Sequence, residues 1–289
     1  MTVSALALVL AAAFVHATWN LLAKRAGDGG TTFVWLFASL SALFYAPLAV
    51  VVLLVERPRI GLAELSFMLG SGVLHLGYFL LLQRGYGVGD LSVVYPLARG
   101  TGPLLATAAA IVFFKERPSA VALCGMLMIM SGVFGLTRGQ GRTEVDSRSI
   151  GAGVIYGLLT GGFIAAYTLW DKHAVGVLLV PPLLFDWAIN LVRAVMLTPA
   201  AWWGRDKVSA VWCAHKREAV GVALLSPLSY ILVLTALSFT PVSYVAPLRE
   251  TSILIATAMG ARLLAEGDIK RRLPAAGAMV AGVVALAIG

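Results

Sequence analysis

Three ionisable residues interrupt long apolar runs. Arg99 lies inside "VVYPLARGTGPLLATA" (93–108), and Arg249 and Glu250 are adjacent in "APLRETSILIATA" (246–258). On insertion scales a charged side chain at mid-bilayer costs about 2.5–3.5 kcal/mol. Such groups persist where they face a hydrated cavity or offset one another. Two chemistries fit. In one, Arg99 or Arg249 receives a carboxylate through charge-assisted hydrogen bonds, while Glu250 meets an amine or carries a coupling proton. In the other, an Arg99–Glu250 or Arg249–Glu250 pair locks the chain together. Pro96 and Pro247 flank these residues. Each removes an i→i−4 hydrogen bond and kinks its helix. The carbonyls freed near residues 92 and 243 need polar partners, and Ser92 and Ser243 stand there.

Polar and aromatic residues recur at spacing i, i+3, i+4, which places each trio on one helix face. The trios are His16, Trp19 and Asn20; His75, Tyr78 and Phe79; Tyr167, Trp170 and Asp171; and Ser226, Ser229 and Tyr230. Facing inward they would line an amphipathic pocket. Trp19 and Trp170 are equally suited to anchoring at the membrane surface. Asp186, Asn190 and Arg193 follow one another at i, i+4, i+7 and read as a self-satisfied ladder. Gly153, Gly157 and Gly161 read as a close-packing ridge that requires no dimer.

The elements that must position these residues are membrane spans. Of the 289 residues 60% are hydrophobic and 12% charged, with a mean hydropathy of +0.89. That leaves too little polar surface to coat a water-soluble globule. The predicted fold is all-α, a polytopic membrane protein with ten transmembrane helices at roughly 2–23, 31–55, 62–83, 90–114, 119–137, 150–171, 180–203, 217–239, 242–264 and 273–289. A first five-helix repeat spans 1–137, a polar linker 138–149 and a second repeat 150–289. Shifting the second half by 151 residues aligns Trp19 with Trp170, Gly70 with Gly221, and Ser92, Pro96 and Leu97 with Ser243, Pro247 and Leu248. Five is odd, so the repeats must lie inverted, a common construction in secondary transporters. Lys and Arg concentrate in the gaps after odd-numbered segments, which places both termini outside.

The net charge of +8 belongs to these membrane-flanking loops, with no basic arm or aromatic platform for nucleic acid. Cys124 and Cys213 lack metal-ligand spacing. The sequence has no P-loop, HExxH, GxSxG or nucleophile–base pair, so no enzyme, metal or cofactor is expected. The partners expected are a small-molecule substrate and the lipid bilayer, with proton coupling as an option and a monomer or homodimer equally compatible.

The segment "SVVYPLARGTGPLLATAAAIVFFKERPSAVALCGMLMIMSGV" (92–133) resembles the end of an EamA-type domain, and "SYVAPLRETSILIATAMGARLLAEGDIKRRLPAAGAMVAGVVAL" (243–286) resembles the same region again. Both carry Pro-Leu early in a helix, an acidic residue (Glu116, Glu266) at its end and a Gly-rich final helix. "HATWNLLAKRAG" (16–27) is similar to first-helix sequences of the family. The resemblance implies the drug/metabolite transporter superfamily, with ten helices around a central cavity lined by helices one, three, four, six, eight and nine. On that basis the candidate substrate-binding residues are His16, Trp19, Tyr78, Tyr95, Arg99, Tyr167, Tyr230, Tyr244, Arg249 and Glu250. Glu116 and Glu266 are expected to be structural. The function implied is secondary-active transport, in the export direction, of a small polar or zwitterionic metabolite such as an amino acid or derivative. The expected site of action is the bacterial inner membrane. A passive pore, or a membrane enzyme or assembly subunit, are the alternatives. The family places both termini in the cytoplasm, opposite to the charge distribution.

Overall fold

The computed structural model describes residues 1–26, 29–88, 91–137, 147–264 and 269–289. Most of the linker expected at 138–149, all of Glu266 and the side chain of Ser92 lie outside the described residues. The described chain is all helical, without strands. Its helices are α1 (Val3–Arg25), α2 (Gly30–Val55), α3 (Leu62–Val88), α4 (Leu91–Phe113), α5 (Ala120–Thr137), α6 (Ser147–Gly176), α7 (Pro182–Trp203), α8 (Arg205–Phe239), α9 (Val242–Arg249), α10 (Thr251–Leu264) and α11 (Ile269–Ile288).

Seven of these, α1 to α4 and α6 to α8, are long and apolar enough to cross a membrane. The shortfall from ten has local causes. Helix α5 has 18 residues and α11 opens on the charged "IKRR", so each holds only a shorter apolar stretch. The ninth expected span is broken into α9 and α10 at Glu250. Pro247 supplies no amide hydrogen there, and the Glu250 N–H turns to the Pro247 carbonyl at 3.1 Å, an i→i−3 bond that tightens the turn. Outward-facing Leu43, Leu54, Leu65, Leu69, Val195 and Val284 are exposed and form an apolar surface suited to lipid. The protein is a multi-pass integral membrane protein.

Helix packing repeats under exchange of the two halves. Helix α1 packs on α8 as α3 packs on α6, α2 on α8 as α3 on α7, and α2 on α7 and α5 on α11 join counterparts. The last pair meets almost backbone to backbone. A Cβ on Gly125 would lie 2.8 Å from the Gly282 carbonyl oxygen, and one on Gly282 would lie 2.6 Å from that of Gly125. The glycine ridge of α6 likewise faces α4, with Gly157 against Leu97 and Gly161 against Thr101.

Both termini reach one face of the bundle, where the Met1 ammonium donates to the Ala287 carbonyl at 3.4 Å. The same face gathers the α4–α5 turn and the start of α9. Glu116 accepts the N–H groups of Val242 and Ser243 at 2.7 and 2.9 Å. Lys172 near the end of α6 donates to the carbonyls of Leu237 and Thr240 at the end of α8, at 2.6 and 3.1 Å. These contacts seal the terminal face. Five crossings carry the first half to the opposite, loop face, so α6 starts where α1 ends and the two halves run in opposite senses. Segment eight differs from expectation. Helix α8 starts twelve residues early, at Arg205, and bends at His215, whose φ of −129° is non-helical. The piece before the bend packs Val211 into a cluster with Phe33 and Phe37.

Candidate functional site

A cavity of about 330 Å³ lies between the halves. Its wall near the loop face includes Ala26 and Gly30 of the α1–α2 turn and Gln83 and Tyr86 at the end of α3. Asp186, near the start of α7, and Val233, near the end of α8, mark the end of the lining toward the terminal face. The lining thus runs from the loop-face turns toward the terminal face, where the Glu116 and Lys172 contacts lie.

Eight of the ten expected residues line it. His16 and Trp19 come from α1, with rings 4.8 Å apart edge to face. The Trp19 Nε1–H has no hydrogen-bond partner among the described residues. Its repeat counterpart Trp170 points elsewhere, stacking on Phe67 and donating to the Phe67 carbonyl at 2.9 Å. Tyr95 and Arg99 sit four residues apart on α4, with the guanidinium 5.8 Å from the tyrosine ring centroid. Arg99 Nη2 meets His16 Nε2 at 2.9 Å. A guanidinium only donates, so Nε2 is the acceptor and the neutral ring carries its proton on Nδ1. Tyr167 accepts a hydrogen bond from Arg249 Nη2 at 2.9 Å and stacks on His75 at 4.1 Å, with Tyr78 edge-on at 5.8 Å.

The remaining two do not line the cavity. Tyr244 faces the terminal side, where its hydroxyl donates to the Gly289 carbonyl at 3.2 Å. It precedes Arg249 by five residues, about 140° around a helix, so both cannot face the same space. Glu250 is fully buried behind the wall, and its Oε1 lies 3.4 Å from Arg99 Nη1. The Arg99–Glu250 pair thus forms, while Arg99 also faces the cavity.

Sequence reasoning undervalued two groups. Asp186, Asn190 and Arg193 all line the cavity. The ladder is real at one end, where Asn190 Nδ2 donates to the Asp186 carboxylate and carbonyl at 3.0 Å each. At the other end Arg193 caps the ring of Phe37 at 5.2 Å. Their common face was legible in the spacing, but its direction was not. Asp171, the counterpart of Asn20, is fully buried and accepts from Ser71 Oγ at 2.6 Å and from the Tyr230 hydroxyl. His75 Nε2 lies 3.9 Å from the same carboxylate. This knot joins α3 of the first half to α6 and α8 of the second.

The site is thus a mid-bilayer chamber with three guanidinium groups, one accessible carboxylate and a wall of aromatic rings. Residues 3–138, from the start of α1 to the end of α5, match the model of the EamA-like transporter family. The first half of the chain is thus similar to the EamA-like transporter family. Members of that family are membrane transporters within the drug/metabolite transporter superfamily, and the packing exchange described above extends the same architecture through the second half. Among solved structures, 29 chains match this chain. One, described only as the crystal structure of a protein, shares 12% identity at a TM-score of 0.79, covering 100% of this chain and 98% of its own. It speaks for the fold alone. No curated protein matches the sequence.

Proposed function

We propose that this EamA-like protein is a secondary-active exporter of a small zwitterionic metabolite, an amino acid or a derivative, working by alternating access. The observation that carries the reading is the cavity itself, charged and aromatic and lined by both halves of the chain. A volume of about 330 Å³ suits a solute of amino-acid size. Arg249 and Arg99 would take the carboxylate. Asp186, at the floor, would take the ammonium group in place of Glu250, which Arg99 already engages. The rings of Trp19, Tyr78 and Tyr167 would hold the apolar part.

Export requires that cargo load from the cytoplasmic side. The loop face carries most of the Lys and Arg found between spans, which by the positive-inside tendency is the cytoplasm. Cargo then loads from inside, across the bacterial inner membrane, with the termini outside. The halves 1–137 and 150–289 would rock as units, breaking the Glu116 and Lys172 contacts when the terminal face opens.

Reconstituted vesicles test this. Arg99→Ala and Arg249→Ala should each lower amino-acid flux at least tenfold in protein that still purifies as a monodisperse species. An imposed pH gradient should drive accumulation above equilibrium. Flux that only equilibrates under the gradient would mark a passive pore, and unchanged flux in both variants would remove the site assignment.

A further inference from the structure

Three guanidinium groups line the chamber, yet among the described residues only Arg99 has a carboxylate at ion-pair distance. Arg249 is 7% exposed, spends one nitrogen on the Tyr167 hydroxyl, and leaves its buried Nε–H without a hydrogen-bond partner. Arg193 is half-buried. Its Nε–H is buried without a hydrogen-bond partner among the described residues, and its guanidinium lies over the face of Phe37. The acid on its own helix, Asp186, is engaged by Asn190. A guanidinium presents five donors in a planar fork suited to carboxylate or phosphate. Two such forks on one chamber, with no carboxylate at ion-pair distance among the described residues, suit anions from outside the protein.

Repeat symmetry gives a second reason. At the offset of 151 residues the counterpart of Arg193 is Ala42, which is buried and apolar. The five-helix scaffold therefore does not need an arginine at this position, and the second half alone carries it into the chamber.

We infer that the cargo carries two acidic groups, one received by Arg249 and the other by Arg193, as an amino acid with an acidic side chain does. This rests on the transport reading above and narrows it. Asp186 receives the ammonium group, and the Phe37 face behind Arg193 fixes the second fork while excluding water from it. A neutral side chain of equal size fills the same space but leaves Arg193 unpaired, so binding discriminates by charge.

The test is calorimetric titration of the purified full-length chain in detergent with L-glutamate and with L-glutamine, its neutral isostere. Glutamate should bind at least tenfold more tightly. Arg193→Gln should bring the ratio of the two affinities close to one, and Arg193→Lys should retain part of the preference. Equal affinities in the wild type, or a ratio untouched by Arg193→Gln, would overturn the inference while leaving amino-acid transport standing. Failure of every amino acid to bind, neutral ones included, would overturn both. If Arg193→Gln does not fold, the wild-type ratio still decides.

Discussion

At the residue scale, the buried polar atoms show which groups hold the protein together and which await a ligand. Asp171 is satisfied. It accepts two hydroxyl hydrogen bonds, one from Ser71 in the first half and one from Tyr230 in the second. Removing one donor from a buried carboxylate costs about 1–3 kcal/mol. Tyr230→Phe should therefore lower the melting temperature of the purified protein, and Ser71→Ala should do the same. A Tyr230→Phe melting curve superimposable on the wild type would show that the knot contributes nothing to joining the halves. Arg249 and Arg193 stand at the opposite extreme, with buried donors unpaired. The types of these residues were legible in the sequence, because a charge in an apolar run is conspicuous. Their partners were not. Arg249 and Glu250 are neighbours in sequence but lie 100° apart on a helix, so Glu250 pairs with Arg99 across the interface while Arg249 turns to the cavity.

At the scale of helices, length and hydropathy found the spans, and the exceptions have physical causes. Pro96 stays inside an unbroken α4, whereas the matching Pro247 is followed by the break at Glu250. The residues after the two prolines differ, "ARGTG" against "RETSI", and at Glu250 the N–H turns to the Pro247 carbonyl. The early start of α8 was hidden because Val208 to Cys213 lie within a charged gap. Glu116 was expected to be structural, and its contact now has a form: both carboxylate oxygens accept N–H groups from the first turn of α9, where the helix dipole favours negative charge. Glu116→Gln keeps the shape, weakens the charge-assisted bonds and replaces one acceptor with a donor. It should destabilise the fold by about 1–2 kcal/mol, read as a lower midpoint in thermal unfolding. A midpoint at or above the wild-type value would contradict a capping role.

At the scale of the whole molecule, a near-constant offset between halves was the strongest signal in the sequence, and the exchange of packing partners matches it. Symmetry gives the chamber its position, while departures from symmetry give it chemistry. At the 151 offset His16 corresponds to Tyr167, Arg99 to Glu250, and Arg193 to an alanine. The contacts at the terminal face were not legible in the sequence, because Glu116 with α9 and Lys172 with the end of α8 join segments far apart in the chain. The transport reading requires a hydrated chamber that is reached from the loop face alone in this conformation. Site-directed labelling tests it most directly. Ser226 lines the chamber, so Ser226→Cys in a chain lacking Cys124 and Cys213 should react with a membrane-impermeant thiol reagent applied from the loop face. Reaction from neither face, or from the terminal face only, would contradict the account.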